Sequence, residues 1–242
     1  MTTLNALGQT LPDSGFTNKH EAKNLYKDSL KEGKWIEYTG FIGTSATVGR
    51  HSFNDLVVFP NDTDTNHATL YKLIVYKKGK PIGIIKTFYK KSNKLESVDS
   101  CKDGEINGMS IGYYESGKIN WTQHSSFGKI DGIVYLYDED GQLASTTPYL
   151  NGKTEGVVKQ YLPIGKLRYE SSFSNGIRNG YAKQYYYPSG KLWIDHNFTN
   201  GQLDGVEKVY AEDGKLKEET TYANGSIIAT KYYDENGNEI KQ

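Results

Sequence analysis

The sequence predicts an all-β protein: an elongated tandem array of about nine antiparallel β-hairpins of 24–25 residues, in a single twisted sheet or solenoid. Glycines recur in step, aromatic and aliphatic columns recur between them, and the intervening segments alternate with the period of a strand. One glycine series runs Gly79, Gly104, Gly128, Gly152, Gly176, Gly201, Gly225. A second follows four residues later at Gly83, Gly108, Gly132, Gly156, Gly180 and Gly205. A third, Gly117, Gly141, Gly165, Gly190, Gly214 and Gly237, closes each inner turn.

Each repeat reads as two short strands. Five residues after the second glycine stands an aromatic ring: Phe88, Tyr113, Tyr137, Tyr161, Tyr185 or Tyr210. Such a column is read as the seam that holds neighbouring hairpins together. Two residues after the third glycine comes Ile119, Leu143, Leu167, Leu192 or Leu216. Tyr76, Cys101, Ser125, Tyr149, Phe173, Phe198 and Tyr222 precede the first glycine by three. Cys101 therefore holds a core position, as a small buried hydrophobe with nothing nearby to activate its thiol. In 157–162, Val157 and Tyr161 flank Lys159 on one face, and Val158, Gln160 and Leu162 take the other.

Turn chemistry agrees. Pro163-Ile164-Gly165 and Pro188-Ser189-Gly190 place proline early and glycine at the exit. Asn175-Gly176 is a hairpin signal. Earlier, Tyr26, Ser29, Gly33 and Tyr38 sit at repeat offsets, so Gly33 to Gly83 is read as two units, with 56–59 as a strand of the degenerate one. The expected organisation is an irregular cap at 1–23, then degenerate repeats at 24–78 with a long polar loop near 60–68. Regular repeats fill 79–230 and a cap 231–242.

Hydrophobic residues make up 36%, yet there are 20 Tyr, 8 Phe and 3 Trp, a composition suited to half-exposed strands rather than helix bundles. Basic and acidic residues number 29 each, so the footprint of a nucleic-acid binder is missing. A single cysteine excludes an internal disulfide. No run of 18 apolar residues occurs, so no transmembrane helix is expected. The start lacks a charged, then apolar, leader, so the chain as it stands reads as cytoplasmic; a leader removed from it would make it exported or periplasmic.

The pattern aromatic-x-Asn-Gly-x-x-x-Gly, then Tyr, then Gly-Lys-Leu, resembles the MORN repeat. In particular it resembles the variant form in bacterial proteins labelled YwqK-like toxin–antitoxin antitoxins. Tyr149-Leu150-Asn151-Gly152, Phe198-Thr199-Asn200-Gly201 and Tyr222-Ala223-Asn224-Gly225 match the opening. Gly165-Lys166-Leu167, Gly190-Lys191-Leu192 and Gly214-Lys215-Leu216 match the second half. Val158, Ala182 and Glu207 stand where the usual form has another glycine. The resemblance implies a non-catalytic scaffold that binds a protein partner, such as a toxin, through one face of its sheet. Its competitors are a membrane-surface or phospholipid-associated module and, for an exported chain, a cell-envelope glycan binder.

No catalytic constellation is found. His20, His51, His67, His124 and His196 lack ligand spacing, and His124 and His196 are read as solvent-facing. Glu170, Asp195 and Glu219 recur at one position opposite Lys159, Lys183 and Lys208, which reads as cross-strand charge pairing. No enzyme activity, cofactor or metal is expected. The candidate partner-binding residues are Tyr186, Tyr187 and Trp193, which exceed what the repeat needs, joined by the loop at 60–68.

Overall fold

The structure is a computed structural model that describes residues 15–40, 57–58 and 68–241. It divides into two compact units, Met1–Lys129 and Ile130–Gln242.

In the first unit a 3₁₀ turn, Lys19–Glu21, precedes β1 (Leu25–Lys27), β2 (Leu30–Gly40) and β3 (Val57–Val58). Then come β4 (Leu70–Lys77), β5 (Lys80–Tyr89), β6 (Leu95–Lys102), β7 (Glu105–Tyr113) and β8 (Ile119–Ser126), with β9 (Lys129–Ile130) following. The second unit runs β10 (Gly132–Tyr137), β11 (Leu143–Leu150), β12 (Lys153–Thr154), β13 (Gly156–Tyr161), β14 (Leu167–Ser174) and β15 (Ile177–Tyr185). It continues through β16 (Leu192–Thr199), β17 (Gln202–Leu203), β18 (Gly205–Tyr210), β19 (Leu216–Ala223), β20 (Ser226–Tyr233) and β21 (Glu239–Ile240). The pairing is antiparallel hairpin after hairpin, as the glycine columns predict.

The outer turns explain the first glycine column. Asn175 has φ +51° and Gly176 φ +84°, the two left-handed residues of a type I′ turn. Gly176 N–H then donates to Thr154 O at 2.9 Å, and Gly201 N–H to Arg178 O at 2.8 Å. Each turn is thereby tied to the repeat before it, which adds a reason for the spacing beyond the turn itself. Ser29, at φ +63°, takes the glycine position in the first described turn.

One expectation is corrected by strand register. Gly33 pairs with Tyr76 and Tyr38 with Tyr71, as Gly156 pairs with Phe173. β2 and β4 are therefore the two strands of one hairpin, and Gly33 to Gly83 is not two units. The strand expected at 56–59 exists as Val57–Val58, but it pairs with Thr39 and Gly40 inside the same hairpin. Equal glycine spacing arose here from an enlarged inner turn. Residues 60–67 of the expected polar loop lie outside the described residues, and Ala68 is buried.

The core differs between units. In the first, Phe16 is fully buried against Tyr71 and Leu73 on one face, with Ile36, Tyr38 and Phe88 around it. Burying such a ring contributes about 1.5–3 kcal/mol. Ile74, Ile85 and Cys101 form the opposite cluster. Cys101 donates to Pro81 O at 3.3 Å, and burial pushes its thiol up to about 11, as suits a packing role. In the second unit the same strand positions carry charge. Lys159, Glu170, Lys183, Asp195, Lys208, Glu219 and Lys231 pair in turn across six strand boundaries, alternating in sign. Lys183 lies 3.9 Å from Asp195 and Lys208 3.4 Å from Glu219. Such half-exposed pairs contribute up to about 1 kcal/mol each. The paired reading of the carboxylate row holds for Asp195 and Glu219, while Glu170 faces Lys159 in register but takes its hydrogen bond from Tyr185.

Candidate functional site

The aromatic residues singled out in the sequence are brought together at the inner end of the β15–β16 hairpin. The rings of Tyr186 and Trp193 are tilted at 5.6 Å between centroids. Tyr187 is 68% exposed and Trp193 39%, so both present apolar area to solvent. The loop that carries Tyr187 differs from its relatives. Gly165 N–H bonds Leu162 O, closing a three-residue loop, whereas Gly190 N–H bonds Tyr186 O across one residue more. Pro188-Ser189-Gly190 is therefore not the Pro163-Ile164-Gly165 turn; it follows a cis Tyr187–Pro188 bond in a longer loop.

Tyr186 has a packing duty that its sequence position concealed. Its hydroxyl donates to Tyr210 O at 2.8 Å. Tyr89, at the same place in another long-loop hairpin, donates to Tyr113 O at 3.1 Å. In both cases the ring ties its hairpin to the next, 24 residues on. Tyr186 thus belongs to the repeat, while Tyr187 and Trp193 exceed it.

The tyrosine column lies half-buried beside the charge ladder. Tyr185 donates to Glu170 at 2.8 Å, and the half-buried phenol is shifted upward by desolvation and by that carboxylate. Tyr233 makes the same bond to Glu219 at 2.7 Å, which pushes its phenol up to about 12.

His196 is not solvent-facing, unlike the exposed His124. Register sets it across from Ala182, on the face that carries Phe198, and only 14% of its side chain is accessible. The small Ala182 leaves room for the ring, whose Nδ1 approaches Glu207 Oε2 at 2.5 Å. The approach lacks the alignment of a hydrogen bond.

A second polar cluster is buried in the first unit. Lys72 is 6% exposed, and desolvation lowers its amine while Asp99 and Glu37 oppose the shift. Burial raises the carboxyl of Asp99, which accepts from Ser97 at 3.2 Å. Glu37 accepts from Tyr76 at 2.7 Å and pairs with Lys31. This arrangement compensates buried charge with opposite charge. The depression lined by Pro81, Ile85, Cys101, Glu105 and Ile106 encloses about 210 Å³, below the ~300–1,000 Å³ usual for small-molecule sites. Among the described residues, no three His, Cys, Asp or Glu side chains gather as metal ligands. No helix there is long and apolar enough to cross a membrane.

Comparison with known proteins follows the repeat. Residues 130–151, 182–200 and 203–224 match the family described as the MORN repeat variant, all three in the second unit. No curated protein matches the chain. Among solved structures it is similar to one titled "Crystal Structure of TarM", at 7% identity and a TM-score of 0.21, over 65% of this chain. The chain spans 20% of that structure's length, and a likeness so slight carries no argument.

Proposed function

We propose that this chain is a non-catalytic repeat scaffold that binds a protein partner through its second unit, in the role of a cytoplasmic antitoxin or immunity protein. The scaffold part is supported by the three MORN-variant segments and by strands that spend their ionisable groups on one another. The partner-binding part is carried by one observation: Tyr187 and Trp193 hold exposed rings beside a hairpin whose packing Tyr186 already completes. Rigid rings of this kind dominate interface energies, because they bury area with little loss of side-chain freedom.

The test is a capture experiment in the native host with three tagged forms: parent, Tyr187→Ala/Trp193→Ala, and Tyr161→Ala. The double variant is expected to melt with the parent and to lose the captured partner about 30-fold, the equivalent of ~2 kcal/mol. Tyr161→Ala is expected to lose stability and, where folded, keep the partner. Undiminished capture by the double variant refutes the surface. A protein that captures nothing reproducibly refutes the scaffold role.

A further inference from the structure

Arg178 stands where other repeats place an uncharged residue. Two residues after the first glycine, its counterparts are Pro81, Ile106, Ile130, Thr154, Leu203 and Ile227. These side chains cover the aromatic column across the strand, as Leu203 does for Phe198 and Ile227 for Tyr222. Arg178 pairs with Phe173 in the same way. Packing at this column is met by uncharged groups elsewhere, so a guanidinium is not required by the repeat.

The geometry around it is that of a held cation. The guanidinium carbon lies 5.9 Å from the ring centres of Tyr169 and Phe173 and 5.5 Å from that of Phe198. The side chain is exposed, and among the described residues no carboxylate pairs with it. Glu207, an acid on the same face, is turned to His196 instead. Contact with rings uses none of an arginine's N–H groups, and those form a fork matched to a carboxylate.

Two hydroxyls on the face that carries Phe173 have no partner. Ser171 and Tyr169 alternate with Phe173 along one face of β14, and Tyr169 Oη and Ser171 Oγ are buried with no hydrogen bond inside the chain. Ser171 is fully inaccessible, with Ala182 opposite it at 1% exposure. Buried hydroxyls are normally satisfied. Both lie on the face that carries Phe173 and are covered from solvent in the free chain.

We propose that Arg178, held among the rings of Tyr169, Phe173 and Phe198, is a carboxylate-binding site that takes an Asp or Glu side chain of the protein partner. It rests on the scaffold reading above and gives the partner a chemistry, an acidic segment that docks on the Phe173 face.

The probe is a deca-glutamate peptide, titrated at low salt into the full chain while the Arg178 Nε–H and Tyr169 ring signals are followed by NMR. A deca-glutamine peptide and inorganic phosphate serve as the other arms. Both signals are expected to move with deca-glutamate and stay still with deca-glutamine. Arg178→Leu installs the residue found at Leu203, so it is expected to melt with the parent and to weaken the acidic peptide at least tenfold. Arg178→Lys, which keeps charge and loses the fork, is expected to fall between. Equal affinity of parent and Arg178→Leu overturns the site, since the lysines of the charge ladder would then account for binding. Phosphate moving both signals where deca-glutamate does not overturns the partner carboxylate in favour of a free anion. Capture lost by Tyr187→Ala/Trp193→Ala but kept by Arg178→Leu overturns this site alone and leaves the scaffold reading standing.

Discussion

Gly112 sits opposite Trp121 in the β7–β8 hairpin, and the indole lies over its backbone. A methyl group added there would come within 2.6 Å of Trp121 Cδ1 and closer still to Nε1 and Cε2. Carbon atoms pack at roughly 3.5–4.0 Å, so the ring has to retreat by about 1 Å or more. The obstacle is a rigid ring held in a sheet, not the end of a flexible chain. Gly112 itself is buried, which leaves the methyl no other direction. Forcing extra volume into such a site costs about 1–3 kcal/mol, and expelling a large aromatic outright costs ~3–5 kcal/mol. Trp121 is only half-buried, so we expect Gly112→Ala to destabilise by about 2–3 kcal/mol. Urea unfolding followed by tryptophan fluorescence measures it. The reasoning also fixes a double variant. Once Trp121→Leu has removed the ring, adding Gly112→Ala should cost little more, so the two changes are strongly non-additive. A Gly112→Ala protein within ~0.5 kcal/mol of the parent, or a double variant equal to the sum of its parts, refutes the account.

Other expectations follow from the same geometry. Phe127 holds φ +46° in an outer turn where Asn151, Asn175, Asn200 and Asn224 stand in later repeats, and it is 69% exposed. A bulky side chain in the left-handed region is strained by roughly 1–2 kcal/mol, and asparagine tolerates it better. Phe127→Asn is therefore expected to raise the melting temperature, and a fall on calorimetry would contradict the strain. The phenol of Tyr233, raised to about 12 by Glu219, ties stability to high pH. Because the folded value exceeds the ordinary 10, the contribution is present below pH 10 and is lost as pH climbs toward 12. NMR titration of the Tyr233 ring should show late ionisation, and Glu219→Gln should bring it back toward pH 10; an unchanged midpoint in that variant would remove Glu219 as the cause.

Much of this fold was written at one-dimensional spacing, because a β-hairpin is a local object. Asn175-Gly176 demands left-handed backbone, Leu167 and Tyr161 mark where strands meet an inner turn, and the alternation at 157–162 assigns faces. Each is a constraint between residues a few positions apart, so the sequence alone determined the all-β class, the repeat and the charge ladder. Pairing over long separations was decided elsewhere. That β4 answers β2, and not a strand of an intervening repeat, depends on which backbone groups meet across an enlarged turn, and spacing of 50 residues is silent on that. The same limit hid the duties of single side chains. Tyr186 bonds a carbonyl in the next hairpin, His196 is sheltered because Ala182 opposite is small, and Arg178 rests on rings from two neighbouring strands. Those facts arise only when strands stack, since a neighbour's size and a carbonyl's direction are properties of the assembled sheet.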